Sequence, residues 1–198
     1  MAHEVSLDGD QAAADCSFRF SRATKLVLRN ISAQHCHLTM ADLNRIVPLT
    51  QITQFSVQWK LDLANLIELL SHVPNVTSLT LFAMPRLPSN KDEIIPLISN
   101  SNNKITKLFV EGYCTFESPE ILVTLFPRMG RIMLGIVKDD LASSIRFLFS
   151  ENRHQLFWVC DWNGDRAMAE QIQAIIDCEK LIDDYSMKLI GRYLYFWW

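Results

Sequence analysis

The side chains able to do chemistry gather in two places. His35-Cys36-His37, with Cys16 upstream, carries the soft donors of a metal site. Alternate residues of a strand or loop point opposite ways, however, and no second ligand pair follows at a usual spacing. The trio therefore reads as a loop, and no metal is expected. Asp161, Asp165, Asp183 and Asp184 gather toward the other end and invite a reading as catalytic carboxylates. No base or nucleophile stands at a telling distance from them, so helix capping and solvation explain them. GxSxG, HExxH, GxGxxG and P-loop motifs are absent from the sequence, which argues against an enzyme and against a bound cofactor.

Composition narrows the classes further. The chain has 198 residues, 49% of them apolar and 21% charged, and one globular domain is the default. A net charge of -3 with scattered Lys and Arg offers no broad basic field for nucleic acid. Met1 to Asp8 lacks the positive start and apolar stretch of a secretory signal, and the apolar runs are too short to span a membrane. An intracellular protein is expected, in the cytoplasm or the nucleus, with its five widely spaced cysteines reduced.

The elements that must position any functional residue follow from one phrase: apolar, two residues, apolar, one residue, apolar. It occurs six times, from Ala23, Ile52, Val76, Ile105, Met129 and, degraded, Leu156, with gaps of 29, 24, 29, 24 and 27. That period predicts a solenoid, and the register is that of leucine-rich repeats. The second half of each repeat has helical spacing after a cap: Thr39 with Asp42 as a capping-box carboxylate, Asp62, Ser89, Ser118 followed by Pro119, Asp140 and Asp165. Short strands and one-sided helices both need partners, and stacking supplies them. The expected fold is α/β, a horseshoe with an inner parallel sheet of about six strands, outer helices and a hairpin cap over 181–198. Residues 1–16 are small, polar and acidic and predict disorder, leaving 17–198 as the repeat domain.

Strand side chains alternate, so the residues between the inward apolar ones face the concave surface. Three columns result: Lys25, Gln54, Ser78, Lys107, Arg131 and Trp158; Val27, Ser56, Thr80, Phe109, Met133 and Cys160; Arg29, Gln58, Phe82, Glu111, Gly135 and Trp162. Phe82, Lys107, Phe109, Glu111, Arg131, Met133, Trp158 and Trp162 make the aromatic, methionine and charged mixture that interfaces favour. Trp158 and Trp162 also fit beneath the C-terminal hairpin, and the charges also fit a solvated cross-strand ladder. The expected function is a protein-interaction scaffold.

Val73-Pro74-Asn75-Val76-Thr77-Ser78-Leu79-Thr80-Leu81, echoed from Phe126 to Leu134, resembles the helix-to-strand junction of intracellular leucine-rich repeats. Over residues 17–180 the chain resembles the repeat region of F-box/leucine-rich-repeat proteins, and Leu181 to Trp198 resembles the ending of some of them. The resemblance implies a substrate-recognition module, tied to the Skp1 adaptor and a cullin only where an F-box is supplied elsewhere. Ser118 to Phe126 echoes the opening of an F-box helix but lies between two repeat strands, which reads as a repeat helix. Ribonuclease-inhibitor-like repeats share the pattern and imply an enzyme inhibitor instead. In such repeats the position of Cys114, nine residues after Ile105, bonds backbone at a turn.

Overall fold

A computed structural model describes residues 3–9, 15–30, 40–86, 103–115, 117–149, 158–161 (backbone) and 165–197. The loop trio His35-Cys36-His37, the capping Thr39, the helix expected after Ser89, and Trp162 lie outside them. The chain divides into two compact units, Met1–Ile105 and Thr106–Trp198.

In the first unit four strands, β1 (Glu4–Asp8), β2 (Lys25–Arg29), β3 (Gln54–Gln58) and β4 (Ser78–Leu81), pair in sequence order and all parallel. Their register aligns Glu4, Lys25, Gln54 and Ser78, which matches the repeated phrase letter for letter. Leu26, Leu28, Phe55, Val57, Leu79 and Leu81 all point inward and are buried, as are the phrase openers Ala23, Ile52 and Val76. Two helices, α1 (Met40–Ile46) and α2 (Leu63–His72), contribute Leu43, Ile46, Leu63 and Leu66 to the core. Asp62 precedes α2 without a side-chain cap bond; the Leu63 N–H donates to the Arg86 carbonyl at 3.0 Å instead.

A second regularity pins the register. The carbonyl just ahead of a strand accepts two N–H groups from the start of the next: His3 from Thr24 and Lys25 (both 3.0 Å), Thr24 from Thr53 and Gln54 (2.9 and 3.1 Å), and Thr53 from Thr77 and Ser78 (2.9 and 3.1 Å). Both lone pairs of each oxygen are used, so each repeat hands its register to its neighbour.

Strand β1 stands over Glu4–Asp8, inside the stretch 1–16 for which disorder was expected. Val5 and Leu7 are buried opposite Leu26 and Leu28, and Glu4 forms an ion pair with Lys25 at 2.8 Å. The signal was present in the letters: Ala2-x-x-Val5-x-Leu7 is the same phrase, starting 21 residues before Ala23. The acidic and small residues around it hide it from a compositional reading.

In the second unit β5 (Lys107–Cys114), β6 (Arg131–Ile136) and β7 (Trp158–Asp161) are parallel and in order. β8 (Ser186–Ile190) and β9 (Tyr193–Trp197) form the expected hairpin, with β9 antiparallel to β7. Its two-residue turn, Gly191-Arg192, takes φ 63° at the glycine, the geometry that suits the twist of paired strands. The Thr106 carbonyl again accepts two N–H groups, from Gly130 and Arg131 at 3.0 Å.

Three helices cover this sheet: α3 (Glu117–Leu125), α4 (Leu141–Leu148) and α5 (Arg166–Glu179). They bury Leu122, Leu125, Leu141, Ile145, Leu148, Met168, Ile172 and Ile176 with Leu108, Val110, Ile132, Leu134, Leu194 and Phe196. Ser118, expected to cap α3, instead lies inside it and accepts a hydrogen bond from the Thr115 N–H at 3.1 Å, the return half of a capping box. Arg146 of α4 donates three hydrogen bonds of 2.7 to 3.0 Å to the Glu179 carboxylate of α5, which raises the Arg146 pKa and lowers that of Glu179. Phe149 meets Phe196 edge to face at 5.9 Å, tying the end of α4 to the hairpin. Tyr185 donates to Asp177 at 2.9 Å, anchoring the approach to β8 on α5.

Leu7→Ala should destabilise the protein by about 2 to 4 kcal/mol in urea unfolding, the cost of a cavity in a packed core. Burial, then the bond to Asp177, pushes the Tyr185 phenol up to about 12. A raised value means the fold favours the protonated phenol. That stabilisation is whole below the ordinary value of 10.0 and is lost as pH rises toward 12. A phenolate absorbance titration should show a step near 12 that Tyr185→Phe removes.

Candidate functional site

The outward face of the second unit's sheet is assembled by register. Lys107 is opposite Arg131, Arg131 opposite Trp158, Trp158 opposite Trp197 and Trp197 opposite Ser186. The next row runs Phe109, Met133, Cys160, Tyr195, Lys188. Directly paired residues share a face, and those between them are the buried Leu108, Ile132, Leu194 and Phe196, so Lys107, Phe109, Arg131, Met133, Tyr195 and Trp197 lie on the side away from the helices. Lys107, Arg131, Lys188 and Trp197 are exposed, and Phe109, Met133 and Tyr195 are half-buried. Tyr193 alternates onto the same face, its ring 6.3 Å from that of Tyr195 and under the Arg192 guanidinium at 5.8 Å.

Sequence spacing therefore brings together Lys107, Phe109, Arg131 and Met133, with Trp158 placed beside them by its backbone pairing. Three placements differ from expectation. β5 shifts register between Phe109 and Tyr113, so Tyr113, not Glu111, stands opposite Gly135. Glu111 is exposed within the irregular stretch, and Tyr113 is 57% exposed. The hairpin joins the sheet edge to edge, β9 pairing with β7 so that the backbone of Trp158 is opposite that of Trp197. In the first unit Val27 and Ser56 are buried, closing part of the second column there, while Phe82 follows β4 at 52% exposure with its N–H donating to the Val57 carbonyl at 3.0 Å.

Tyr193, Tyr195, Trp197 and Lys188 were not among the expected site residues. Their signal is the alternation Tyr193-x-Tyr195-x-Trp197 around the buried Leu194 and Phe196, the same period-two pattern as in the repeats.

An open cleft of about 460 Å³ lies where β5 and β6 end, lined by Tyr113, Ile136, Val137, Lys138, Asp165 and Met168. Its walls are mainly apolar, and its one carboxylate is engaged: Asp165 accepts the Met168 N–H at 2.7 Å as the N-cap of α5. That is the capping role expected of it. Asp183 and Asp184 are exposed in the bend before β8. Among the described residues no group of three or more His, Cys, Asp or Glu could hold a metal, and no helix is long and apolar enough to cross a membrane. Cys16, Cys114 and Cys178 are free thiols, and Cys114 is buried with its sulfur 3.9 Å from the Gly112 carbonyl.

No protein-family model, curated protein or solved structure matches the chain. The assignment of function rests on the site itself.

Asp165→Ala should lower stability by about 1 kcal/mol, the ordinary worth of an N-cap, measured by denaturant unfolding.

Proposed function

We propose that the protein is an interaction scaffold whose second unit presents Lys107, Phe109, Arg131 and Met133, with Trp158, to a protein partner. The observation that carries this reading is the register. It sets Lys107, Phe109, Arg131 and Met133 on one face, while the intervening positions form the core. Fully apolar strands would serve the core equally well, and a mixture of this kind is enriched where proteins bind one another.

We read the architecture as a leucine-rich-repeat solenoid of the kind found in F-box substrate receptors. The phrase spacing, the parallel in-register strands and the doubly accepting carbonyl support it. The F-box-like stretch Ser118 to Phe126 coincides with α3, between β5 and β6, with Leu122 and Leu125 buried. It serves as a repeat helix, so recruitment of Skp1 and a cullin requires an F-box from elsewhere.

Purification of the tagged protein from its own cells, compared with a Phe109→Ala, Arg131→Ala variant, tests the scaffold reading. The variant should lose its partner while its stability falls by about 1 kcal/mol or less, as for substitutions outside a core. An unchanged set of recovered proteins would sink the assignment. Inhibition of a stoichiometric partner enzyme, with no adaptor bound, would move it to the inhibitor class.

A further inference from the structure

Successive residues of a parallel strand turn their N–H and carbonyl groups to opposite sides of the strand. The Lys25 N–H donates to the His3 carbonyl and the Gly9 N–H to the Arg29 carbonyl, both at 3.0 Å, so Val5 and Leu7 direct their backbone groups at β2. Glu4, Ser6 and Asp8 turn theirs the other way, off the end of the strand order. Among the described residues these backbone groups have no hydrogen-bond partner, and all three residues are exposed while Val5 and Leu7 are buried. Such an edge is a template for a further strand. Its direction is set by the repeat: Thr24 and Lys25 share one carbonyl ahead of the preceding strand, as do Thr53 with Gln54 and Thr77 with Ser78, whereas His3 and Glu4, one repeat earlier, have no such oxygen among the described residues.

We propose that β1 takes up an extended basic segment of a partner protein as an added parallel strand, with cations opposite Glu4 and Asp8 and apolar residues opposite Val5 and Leu7. The carbonyl ahead of its first cation accepts the His3 and Glu4 N–H groups. On its other side β1 already has a strand of this kind in β2: Lys25 stands opposite Glu4 with Nζ 2.8 Å from Oε2, Leu26 and Leu28 stand opposite Val5 and Leu7, and Arg29 stands opposite Asp8. Asp8 Oδ1 accepts the Asn30 side-chain N–H at 2.7 Å, so Glu4 Oε1 and Asp8 Oδ2 have no partner among the described residues and can each receive a second cation. A second copy fits less well, because antiparallel pairing across a two-fold axis centred on Ser6 would set Glu4 opposite Asp8 twice over. Main-chain bonds supply the attachment, and the two carboxylates select the sign. The site lies wholly in the first unit and needs nothing from the face of the second.

The test titrates the isotope-labelled full chain with acetyl-Thr-Lys-Leu-Thr-Leu-Arg-amide, a counterpart with Glu for Lys and Arg, and two N-methylated forms, following the Glu4, Ser6 and Asp8 amides by NMR. In the added strand both Leu N–H groups point at β1 and that of the second Thr points away. The basic peptide should shift the three amides and slow their exchange with solvent, and the acidic one should bind about fivefold more weakly. Methylating both Leu nitrogens should abolish the shifts, while methylating the second Thr nitrogen leaves them. Ser6→Pro should weaken binding by about tenfold or more and keep the fold, since an edge strand tolerates proline where its N–H faces outward. Unshifted amides with the basic peptide, equal or tighter binding of the acidic one, or undiminished binding of the Leu-methylated form would overturn the inference. So would a concentration-dependent shift of the same amides without peptide, which would make a second copy the occupant. If Ser6→Pro does not fold, the methylated peptides decide the question on the unaltered chain.

Discussion

A carbonyl oxygen has two lone pairs, and ahead of four strands of this chain one such oxygen gives both to the strand that follows. His3, Thr24 and Thr53 do so in the first unit and Thr106 in the second. Strands of four to eight residues have no stability of their own, and a slip of one residue would turn every side chain to the wrong face. The doubly accepting carbonyl removes that freedom at the first residue of the β1–β2, β2–β3, β3–β4 and β5–β6 pairings. Everything the outward face does depends on it, because rows of side chains exist only where the register is held.

The core and the face are two outcomes of one alternation. Leu26, Phe55 and Leu79 in the first unit, and Leu108 and Ile132 in the second, go inward because each buried side chain of this kind stabilises the fold by about 1.5 to 3 kcal/mol. Their neighbours are released from that demand. In the second unit those neighbours are aromatic, methionine and cationic, and the antiparallel hairpin continues the same rows with Tyr195, Trp197 and Lys188. The hairpin covers the edge of β7 by pairing with it, which is how an exposed edge is protected without masking a face.

Legibility differed from residue to residue for identifiable reasons. The inward leucines and valines were readable because burial imposes a period of two that no other force disturbs. Asp165 was readable as a cap because its carboxylate lies in reach of the Met168 N–H, a contact local in sequence. The pairing of Tyr113 with Gly135 was not legible because the irregularity in β5 exists only through its pairing with β6. Ser118 was misplaced for a similar reason, the helix starting ahead of it and turning its hydroxyl back to Thr115. Strand β1 was missed although its letters fit the phrase, because acidic flanks outweighed two buried residues, Val5 and Leu7, in a reading of composition.

The amino-acid order by itself determined that the apolar positions of the repeated phrase are buried, where most strands begin, and that Lys107, Phe109, Arg131 and Met133 fall on one face, since these follow from local alternation and the hydrophobic effect. Tertiary structure alone decided that Tyr113 stands opposite Gly135 and that β9 pairs edge to edge with β7. Each of these is a question of which backbone groups pair across distant segments. Hydrogen bonds between strands carry almost no signature in the residues they join, because every backbone offers the same donor and acceptor.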